Sequence, residues 1–238
     1  MEKKIIIPPG FERDSYELSR LYVERILQYN IVTLNLLPGQ LVSEYELAQQ
    51  FGLSRTPIHE ALRELSKKSL TTIIPQVGTK ISFIDTKRVE AVSFLRHAAE
   101  MHMLESVFDA ITPQGLRSLD YLIQDQIASI ELGDFYRFLE NDNAFHDTLF
   151  KEAGMQELHD VIKPSMPIFD RVRVLIYTYL DPPRIIREHS TLLAAIKNKD
   201  RKAGREILDT HLSYDVFRDL QVLREKFPHY FLPIEDTI

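Results

Sequence analysis

The sequence predicts a mainly α-helical protein of two domains, and three observations lead to this fold class. Residues 38–84 follow the order helix, turn, helix and short β-hairpin, which is the pattern of a winged helix-turn-helix. Residues 85–238 carry apolar side chains at helical spacing with short connections, which predicts an all-helical bundle of about six helices. The 238 residues include only 8 glycines. We therefore expect two domains, residues 1–84 and 85–238.

Three helices are expected in the N-terminal domain. The first covers residues 15–30 and follows a weakly ordered arm at residues 1–14. The second begins after Ser43, a helix-capping residue that Glu46 would complement three residues later in a capping box. It ends before Gly52, because glycine adopts the left-handed backbone of a helix end most easily.

The third helix begins after Ser54, its predicted capping residue, and carries Pro57 in the first turn, where a missing N–H does no harm. Its predicted buried stripe consists of Ile58, Ala61, Leu62 and Leu65. The β-prone residues 71–75 and 80–84 follow, with Val77 and Gly78 at the turn between them. These two segments predict the wing.

Six helices are expected in the C-terminal domain, because glycine, proline, asparagine and aspartate interrupt the helical periodicity at regular points. Their predicted spans are 86–111, 113–132, 135–153, 155–180, 183–198 and 201–227. Pro164 and Pro167 should kink the fourth of these helices.

The composition limits the classes of protein to which the chain can belong. Apolar residues make up 44%, which is ordinary for a globular protein. The absence of cysteine excludes a disulfide framework, a thiolate metal site and a cysteine nucleophile. The sequence shows no signal peptide and no apolar stretch long enough to span a bilayer. We therefore expect a cytoplasmic protein without a membrane partner.

The third predicted helix has the size and chemistry of a helix that enters the major groove of DNA. Arg55 at its N-terminal end could donate paired hydrogen bonds to guanine or bind a phosphate. An ordinary helical hairpin with a solvated, charged face would show the same pattern. The residues alone leave both interpretations open.

Residues 38–70 closely resemble the winged helix-turn-helix of the GntR family of bacterial transcription regulators. The family pattern is PG, then L-S-E-x-x-L-A, then G-V-S-R-x-P-V-R-E-A-L, then L-x-x-x-G-L. The matching residues are Pro38, Gly39, Ser43, Glu44, Leu47, Ala48, Gly52, Ser54, Arg55, Pro57, Glu60, Ala61, Leu62, Leu65 and Leu70. The resemblance implies binding to double-stranded operator DNA. The predicted DNA-binding residues are Ser43, Glu44, Tyr45, Ser54, Arg55, Thr56, Pro57, His59, Arg63 and Gly78.

The sequence departs from the family pattern at three positions. Tyr45 and His59 stand where the family often has arginine, and Ser69 stands where it has glycine. Because each lost phosphate contact lowers DNA affinity, we expect weaker binding or an unusual operator. Tyr45 and His59 would then make neutral hydrogen bonds to the DNA. A domain that binds DNA poorly is the alternative.

The charge is distributed unevenly along the chain, whose formal net charge is −6. Residues 1–84 hold ten Lys and Arg against nine Asp and Glu, whereas residues 85–238 hold nineteen against twenty-six. The negative charge therefore lies outside the predicted DNA-binding domain. Because that domain is almost neutral, one subunit should bind DNA only modestly, which favours a homodimer on two half-sites.

Four residues of the C-terminal domain could bind one metal ion. Asp142 and His146 are four residues apart, so their side chains lie on one face of a helix, and His189 and His211 lie on two later helices. Imidazole and carboxylate together suit zinc, nickel, iron or manganese. Ordinary core or surface histidines would give the same spacing, so the residues alone leave a metal site open.

Residues 86–227 resemble the FCD-type effector domain of the FadR subfamily of GntR regulators. The run NDNAFHDTLF matches the signature D-x-x-F/L-H, the run REHSTLLAAI matches E-H-x-x-I/L-x-x-A-I, and a His-Leu pair follows in the expected order. The resemblance implies a divalent metal, such as zinc, nickel or manganese, with a small organic acid bound beside it. The implied metal ligands are Asp142, His146, His189 and His211.

An arginine would complete such a site, because a guanidinium donates two parallel hydrogen bonds to a carboxylate. Arg96 is the first candidate for binding the acid, since the run RHAAE matches the family's R-x-x-x-E. Arg173, within the mainly apolar residues 172–179, is the second candidate. A structural ion pair is the alternative for both, and for Arg96 the partner would be Glu100.

Together these features predict a cytoplasmic, ligand-responsive transcription regulator that binds DNA as a homodimer, and repression is the commoner behaviour in the family. No catalytic residue is predicted. One alternative is a metal-dependent hydrolase, in which the metal would activate water. Against it, no motif supplies a general base, and a DNA-binding domain precedes the site. A second alternative is a regulator whose metal is purely structural.

Overall fold

The computed structural model describes residues 4–180, 182–213 and 216–233 of the chain. They form two compact units, each with its own hydrophobic core. The first unit comprises the residues up to Thr86 together with those from Lys226 onward, and the second comprises Lys87–Glu225. Among the described residues, no helix is both long enough and apolar enough to cross a membrane.

The first unit has the predicted order of helix, turn, helix and wing. Its elements are α1 (Ser19–Val32), β1 (Leu41–Val42), α2 (Glu44–Phe51), α3 (Arg55–Lys67), β2 (Thr71–Ile74) and β3 (Gly78–Ile81). Helix α1 packs against α3, and α2 also contacts α3. The buried stripe of α3 is the predicted one, Ile58, Ala61, Leu62 and Leu65. Because this stripe faces the core, the charged side chains of α3 lie at the surface.

The helix-turn-helix ends as predicted but begins differently. Gly52 closes α2 with a φ of 63°, in the left-handed region where glycine is least strained. Ser43 and Ser54 occupy the N-cap positions of α2 and α3, yet neither side chain makes a capping hydrogen bond. The predicted capping box of Ser43 and Glu46 is therefore wrong. Helix α2 begins with a backbone bond, from the Leu47 amide to the Ser43 carbonyl at 3.0 Å.

The wing is a three-stranded antiparallel sheet in the order β1, β3, β2. Strand β1 was not predicted, because two residues are too short to show an alternation of apolar and polar side chains. The turn spans residues 75–77, so it includes the predicted Val77, and Gln76 at its centre has a φ of 61°. Gly78 consequently lies at the start of β3 rather than in the turn.

The C-terminal segment returns to the first unit beside the end of the wing. The Ile84 amide donates to the Tyr230 carbonyl at 2.8 Å, and the Leu232 amide donates to the Ile84 carbonyl at 3.0 Å. Phe231, which forms a parallel bridge with Ile84, is buried.

The second unit is entirely helical in the described residues. Its helices are α4 (Thr86–Ala110), α5 (Pro113–Glu131), α6 (Phe135–Glu152), α7 (Gln156–Ile162), α8 (Met166–Tyr179), α9 (Pro182–Lys197), α10 (Arg201–Ser213) and α11 (Val216–Lys226). Helix α5 packs against α6 and α9, and α9 packs against α10. These contacts bring α6, α9 and α10, which carry the predicted metal ligands, into one bundle.

One of the predicted helices differs from the structure. The span 155–180 is interrupted by a 3-10 turn at Lys163–Ser165, so the predicted kinked helix is wrong. Pro164 lies within that turn, and it has no N–H for a helical hydrogen bond. The span 201–227 is described as α10 and α11, and residues 214 and 215 lie outside the described residues.

Candidate metal centre and DNA-binding surface

The four predicted metal ligands lie together in the second unit. Helix α6 carries Asp142 and His146 one turn apart, α9 carries His189, and α10 carries His211. One ligand atom from each side chain lies within 4.8 Å of the others. His189 is fully buried, and Asp142 and His146 are nearly so. The cluster therefore offers three imidazoles and one carboxylate to a common point.

A hydrogen bond donated by Nδ1 fixes the orientation of each imidazole. His146 Nδ1 lies 2.6 Å from a carboxylate oxygen of Glu100, and His211 Nδ1 lies 2.8 Å from one of Glu188. His189 Nδ1 lies 3.0 Å from the amide oxygen of Gln126. Because these oxygens accept hydrogen bonds, each Nδ1 carries the hydrogen. In a neutral imidazole each Nε2 then holds a lone pair.

The Nε2 atoms are placed unfavourably unless a cation lies between them. Nε2 of His146 and Nε2 of His211 are 3.3 Å apart, with no hydrogen to share when both Nδ1 atoms are protonated. Nε2 of His189 is buried, has no hydrogen-bond partner, and lies 3.6 Å from Asp142. Buried, unpaired acceptors are rare in folded proteins, because each one destabilises the fold. This donor set therefore fits a divalent ion such as zinc, nickel or manganese.

The electrostatics of the cluster favour the protonation states that bind a metal. Burial lowers the pKa of His146 to about 4 and the pKa of His189 well below its ordinary value. Burial alone would raise the pKa of Asp142, but the positive charge of Arg173 and other nearby cations outweighs it and holds that pKa well below its usual range. Neutral imidazoles and an ionised carboxylate are the forms that coordinate metals.

The Arg173 guanidinium already donates hydrogen bonds to four side chains of the protein, one of which is a candidate metal ligand. Its hydrogen-bond partners are Asp142, Asn143, Asp170 and Tyr177. The contact with the Asp142 carboxylate orients one of the candidate metal ligands. This arrangement matches the structural ion pair that was the alternative for Arg173.

Arg96 borders the same cluster but keeps an unused donor. Its Nε donates to Glu100 at 2.7 Å, which is the i, i+4 ion pair that was the alternative for this residue. Its buried Nη2 has no hydrogen-bond partner and lies 3.9 Å from the Asp142 carboxylate. Arg96 therefore combines a structural ion pair with one donor that is free for another group.

Gln126, which accepts a hydrogen bond from the His189 imidazole, is not among the site residues predicted from sequence. Gln126 is fully buried and follows Leu119 and Ile123 on the core side of α5. A polar residue at the next position of an apolar helical stripe was the available signal. Glu100 is expected from sequence only as the ion-pair partner of Arg96, and Glu188 only as part of the REHSTLLAAI match. In the structure they accept the hydrogen bonds of the other two imidazoles.

The N-terminal half of α3 presents most of the predicted DNA-binding residues at the surface. The side chains of Arg55 and His59 are 69% and 49% exposed, and both contact Glu44 of α2. Tyr45, on the neighbouring turn of α2, is 60% exposed and accepts a hydrogen bond from Gln49 at 2.9 Å. The remaining predicted residues of α3 and its cap are exposed or half-buried, namely Ser54, Thr56, Pro57 and Arg63. Ser43 at the α2 cap and Gly78 in the wing are half-buried.

Comparison with protein families identifies both units. Residues 20–81 match the model of bacterial regulatory proteins of the gntR family, and residues 91–214 match the model of the FCD domain. An uncharacterized HTH-type transcriptional regulator in an unstable DNA locus of Streptomyces ambofaciens is 30% identical over 214 residues, with 89% of each chain covered. The transcriptional repressor RspR of Escherichia coli is 29% identical over 210 residues, covering 88% of this chain and 92% of that one.

Solved structures agree with the fold. Escherichia coli McbR/YncC superposes with a TM-score of 0.72 at 22% identity and covers 89% of this chain and 99% of its own. The matches confirm the predicted winged helix-turn-helix with a C-terminal helical domain. The families and relatives are transcription regulators rather than enzymes. This confirms the prediction that the chain is a regulator and not an enzyme. The chain therefore belongs to the GntR family of bacterial transcription regulators, with the C-terminal FCD domain of its FadR-type members.

Proposed function

We propose that the chain is a ligand-responsive repressor whose first unit binds operator DNA and whose second unit binds a divalent metal ion and a small organic acid. The observation that carries this proposal is the convergence of three imidazole Nε2 atoms and the Asp142 carboxylate on one point. The repressing direction is supported by RspR and by the gluconate operon repressor of Bacillus subtilis, which is 26% identical over 200 residues. Its site of action is the cytoplasm, where its DNA lies.

The exposed face of α3 supports operator binding by the first unit. Arg55 lies at the N-terminal end of the helix, which is the end that contacts bases in helix-turn-helix proteins. Arg63, two turns later, is exposed and has no partner among the described residues, so it can neutralise a phosphate. The hydroxyls of Ser43 and Ser54 do not cap their helices and are available to phosphate oxygens.

The donor set of the second unit supports a bound metal. Asp142, His146, His189 and His211 would hold the ion. When bound, the ion would supply a Lewis acid that coordinates a carboxylate oxygen of the effector. Several divalent ions accept this donor set, because affinity follows metal availability as well as ligand type.

The two arginines beside the cluster support a carboxylate as the effector. The unpaired Nη2 of Arg96 would donate to the effector carboxylate and so gain the hydrogen bond that it lacks. Arg173 remains the weaker candidate, because its guanidinium is shared among four side chains of the protein. Its role in the proposal is to orient Asp142.

An exposed apolar stripe on α4 supports a homodimer. Ala91, Phe94, Leu95 and Ala98 recur at helical spacing on the exposed side, and Phe94 is 73% exposed. Exposed apolar stripes of this kind mark interaction surfaces, and a twofold dimer presents two DNA-binding units to paired half-sites. Phe94→Glu should therefore shift the protein to monomer in analytical ultracentrifugation and weaken binding to paired half-sites. If Phe94→Glu remains a dimer, this stripe is not the dimer interface.

Calorimetry and DNA binding together test the regulatory half of the proposal. A panel of small carboxylic acids is titrated into metal-loaded protein, chelated protein and the His211→Ala variant. Acids should bind the loaded protein alone and weaken its binding to operator DNA. A purely structural metal would instead leave the loaded protein without acid binding and its DNA affinity unchanged. Failure of the wild type to bind any divalent ion would refute the metal site itself.

A further inference from the structure

Three side chains at the exposed end of the helix-turn-helix form a hydrogen-bonded group. Glu44, the first residue of α2, places Oε1 2.7 Å from His59 Nδ1 and Oε2 3.4 Å from Arg55 Nη2. The Glu44 side chain is 25% exposed, which makes it the most buried of the three. Glu44 therefore acts as an acceptor beneath two more exposed side chains of α3.

Glu44 determines which ring nitrogen of His59 carries the hydrogen. An ionised carboxylate only accepts hydrogen bonds, so Nδ1 must be the donor in this pair. In a neutral imidazole the second nitrogen, Nε2, then holds a lone pair and accepts. Nε2 of His59 has no partner among the described residues. It is the ring atom that remains for a group outside the chain.

We propose that His59 contacts a base through Nε2 as a hydrogen-bond acceptor and thereby selects adenine or cytosine. This inference rests on the proposed binding of α3 in the major groove. There, adenine N6 and cytosine N4 are the amino groups that donate, whereas guanine presents only the acceptors N7 and O6. An arginine at position 59 would donate and select guanine. The Glu44–His59 pair therefore reverses the base preference at this position.

Selection from randomised double-stranded DNA at pH 8 tests the base contact with the full-length protein. Wild-type sequences should contain one position in each half-site with adenine or cytosine. His59→Ala should lose the preference at that position alone. Its affinity for the selected duplex should fall about fivefold, the size of one hydrogen bond. His59→Arg should restore a preference there, but for guanine.

Glu44 is tested as a positioning residue by a matched pair of variants. Glu44→Gln should relax the preference at the His59 position, because an amide can either accept from Nδ1 or donate to it. Glu46→Gln makes the same charge change on the same helix without touching His59 and should leave every position unchanged. Nitrogen-15 NMR should show the Nδ1–H tautomer of His59 in the wild type and a mixture in Glu44→Gln.

The outcomes separate this inference from the proposed function. Selection of the same sequences by the wild type and His59→Ala would overturn the inference, and so would a guanine preference that depends on His59 at pH 8. An unchanged tautomer and base preference in Glu44→Gln would overturn the role of Glu44. Failure of the wild type to enrich any sequence would refute DNA recognition by the first unit, and the inference with it.

Discussion

Replacement of His189 by phenylalanine separates the metal site from the fold. The His189 ring is fully buried and stacks on Phe145, with ring centroids 4.1 Å apart and planes 9° from parallel. Phenylalanine would keep this stacking and remove the unpaired Nε2, but it would leave the Gln126 oxygen without its donor. Each buried, unpaired group costs about 1–3 kcal/mol, so the two effects offset. Metal-free His189→Phe should therefore unfold within about 1 kcal/mol of the metal-free wild type.

Metal should stabilise the wild type and have little effect on this variant. With free metal at about 100 times its Kd, binding adds about 2.7 kcal/mol to the free energy of unfolding of the wild type. His189→Phe lacks one ligand and should lose most of that gain. Urea denaturation followed by circular dichroism, with metal or with chelator, measures both quantities.

His159→Phe is the matched control for this experiment. His159 also stacks on a phenylalanine, Phe150, with centroids 5.0 Å apart, but it lies outside the cluster of four ligands. This variant should keep the full metal-dependent gain. Equal gains in His189→Phe and the wild type would refute coordination by His189. A large loss of stability in metal-free His189→Phe would show instead that the imidazole is needed for the fold.

Three further predictions concern a hydrogen-bond partner of a metal ligand, an exposed arginine of α3 and stability in acid. Glu100→Gln should weaken metal binding by about 10- to 100-fold in competition with a chromophoric chelator, because Glu100 orients His146; unchanged affinity would contradict this role. Arg63→Ala should lower affinity for all DNA sequences alike and reduce the salt slope by about 1 in fluorescence anisotropy; an unaltered slope would exclude a phosphate contact. Burial lowers the pKa of His146 from 6.5 to about 4, so the unfolded chain binds this proton first. Chelated protein should therefore lose about 3 kcal/mol as the pH falls from 6.5 to 4, and urea midpoints that rise in acid would oppose this sign.

The sequence predicts the fold best where local chemistry fixes the backbone. Gly52 marks the end of α2 because its left-handed φ is strained in other residues, and the apolar stripe of α3 follows directly from helical spacing. Strand β1 escapes prediction because its two residues are held by pairing with β3, which is a tertiary contact. The sequence predicts a kink at Pro164, whereas the structure has a 3-10 turn that separates two helices. Proline shows where a helix is disturbed, but it does not show whether the helix bends or ends.

The candidate metal site is only partly visible in the sequence. Asp142 and His146 are neighbours by helical geometry alone. Whether His189 and His211 join them depends on how α9 and α10 pack, which local patterns do not encode. Gln126 was missed for the same reason, since its partner lies 63 positions away in the sequence. The resemblance to the FCD domain supplied the long-range information that spacing could not.

Fluorescence anisotropy with labelled DNA tests most directly whether α3 recognises an operator. Wild-type protein and Arg55→Ala are titrated, at one fixed salt concentration, with the duplex upstream of the protein's own gene and with a scrambled duplex of equal composition. The wild type should bind the upstream duplex at least about 1,000-fold more tightly than the scrambled one, and Arg55→Ala should lose most of this preference. Equal affinity of the wild type for both duplexes, or full preference in Arg55→Ala, would contradict DNA recognition by α3.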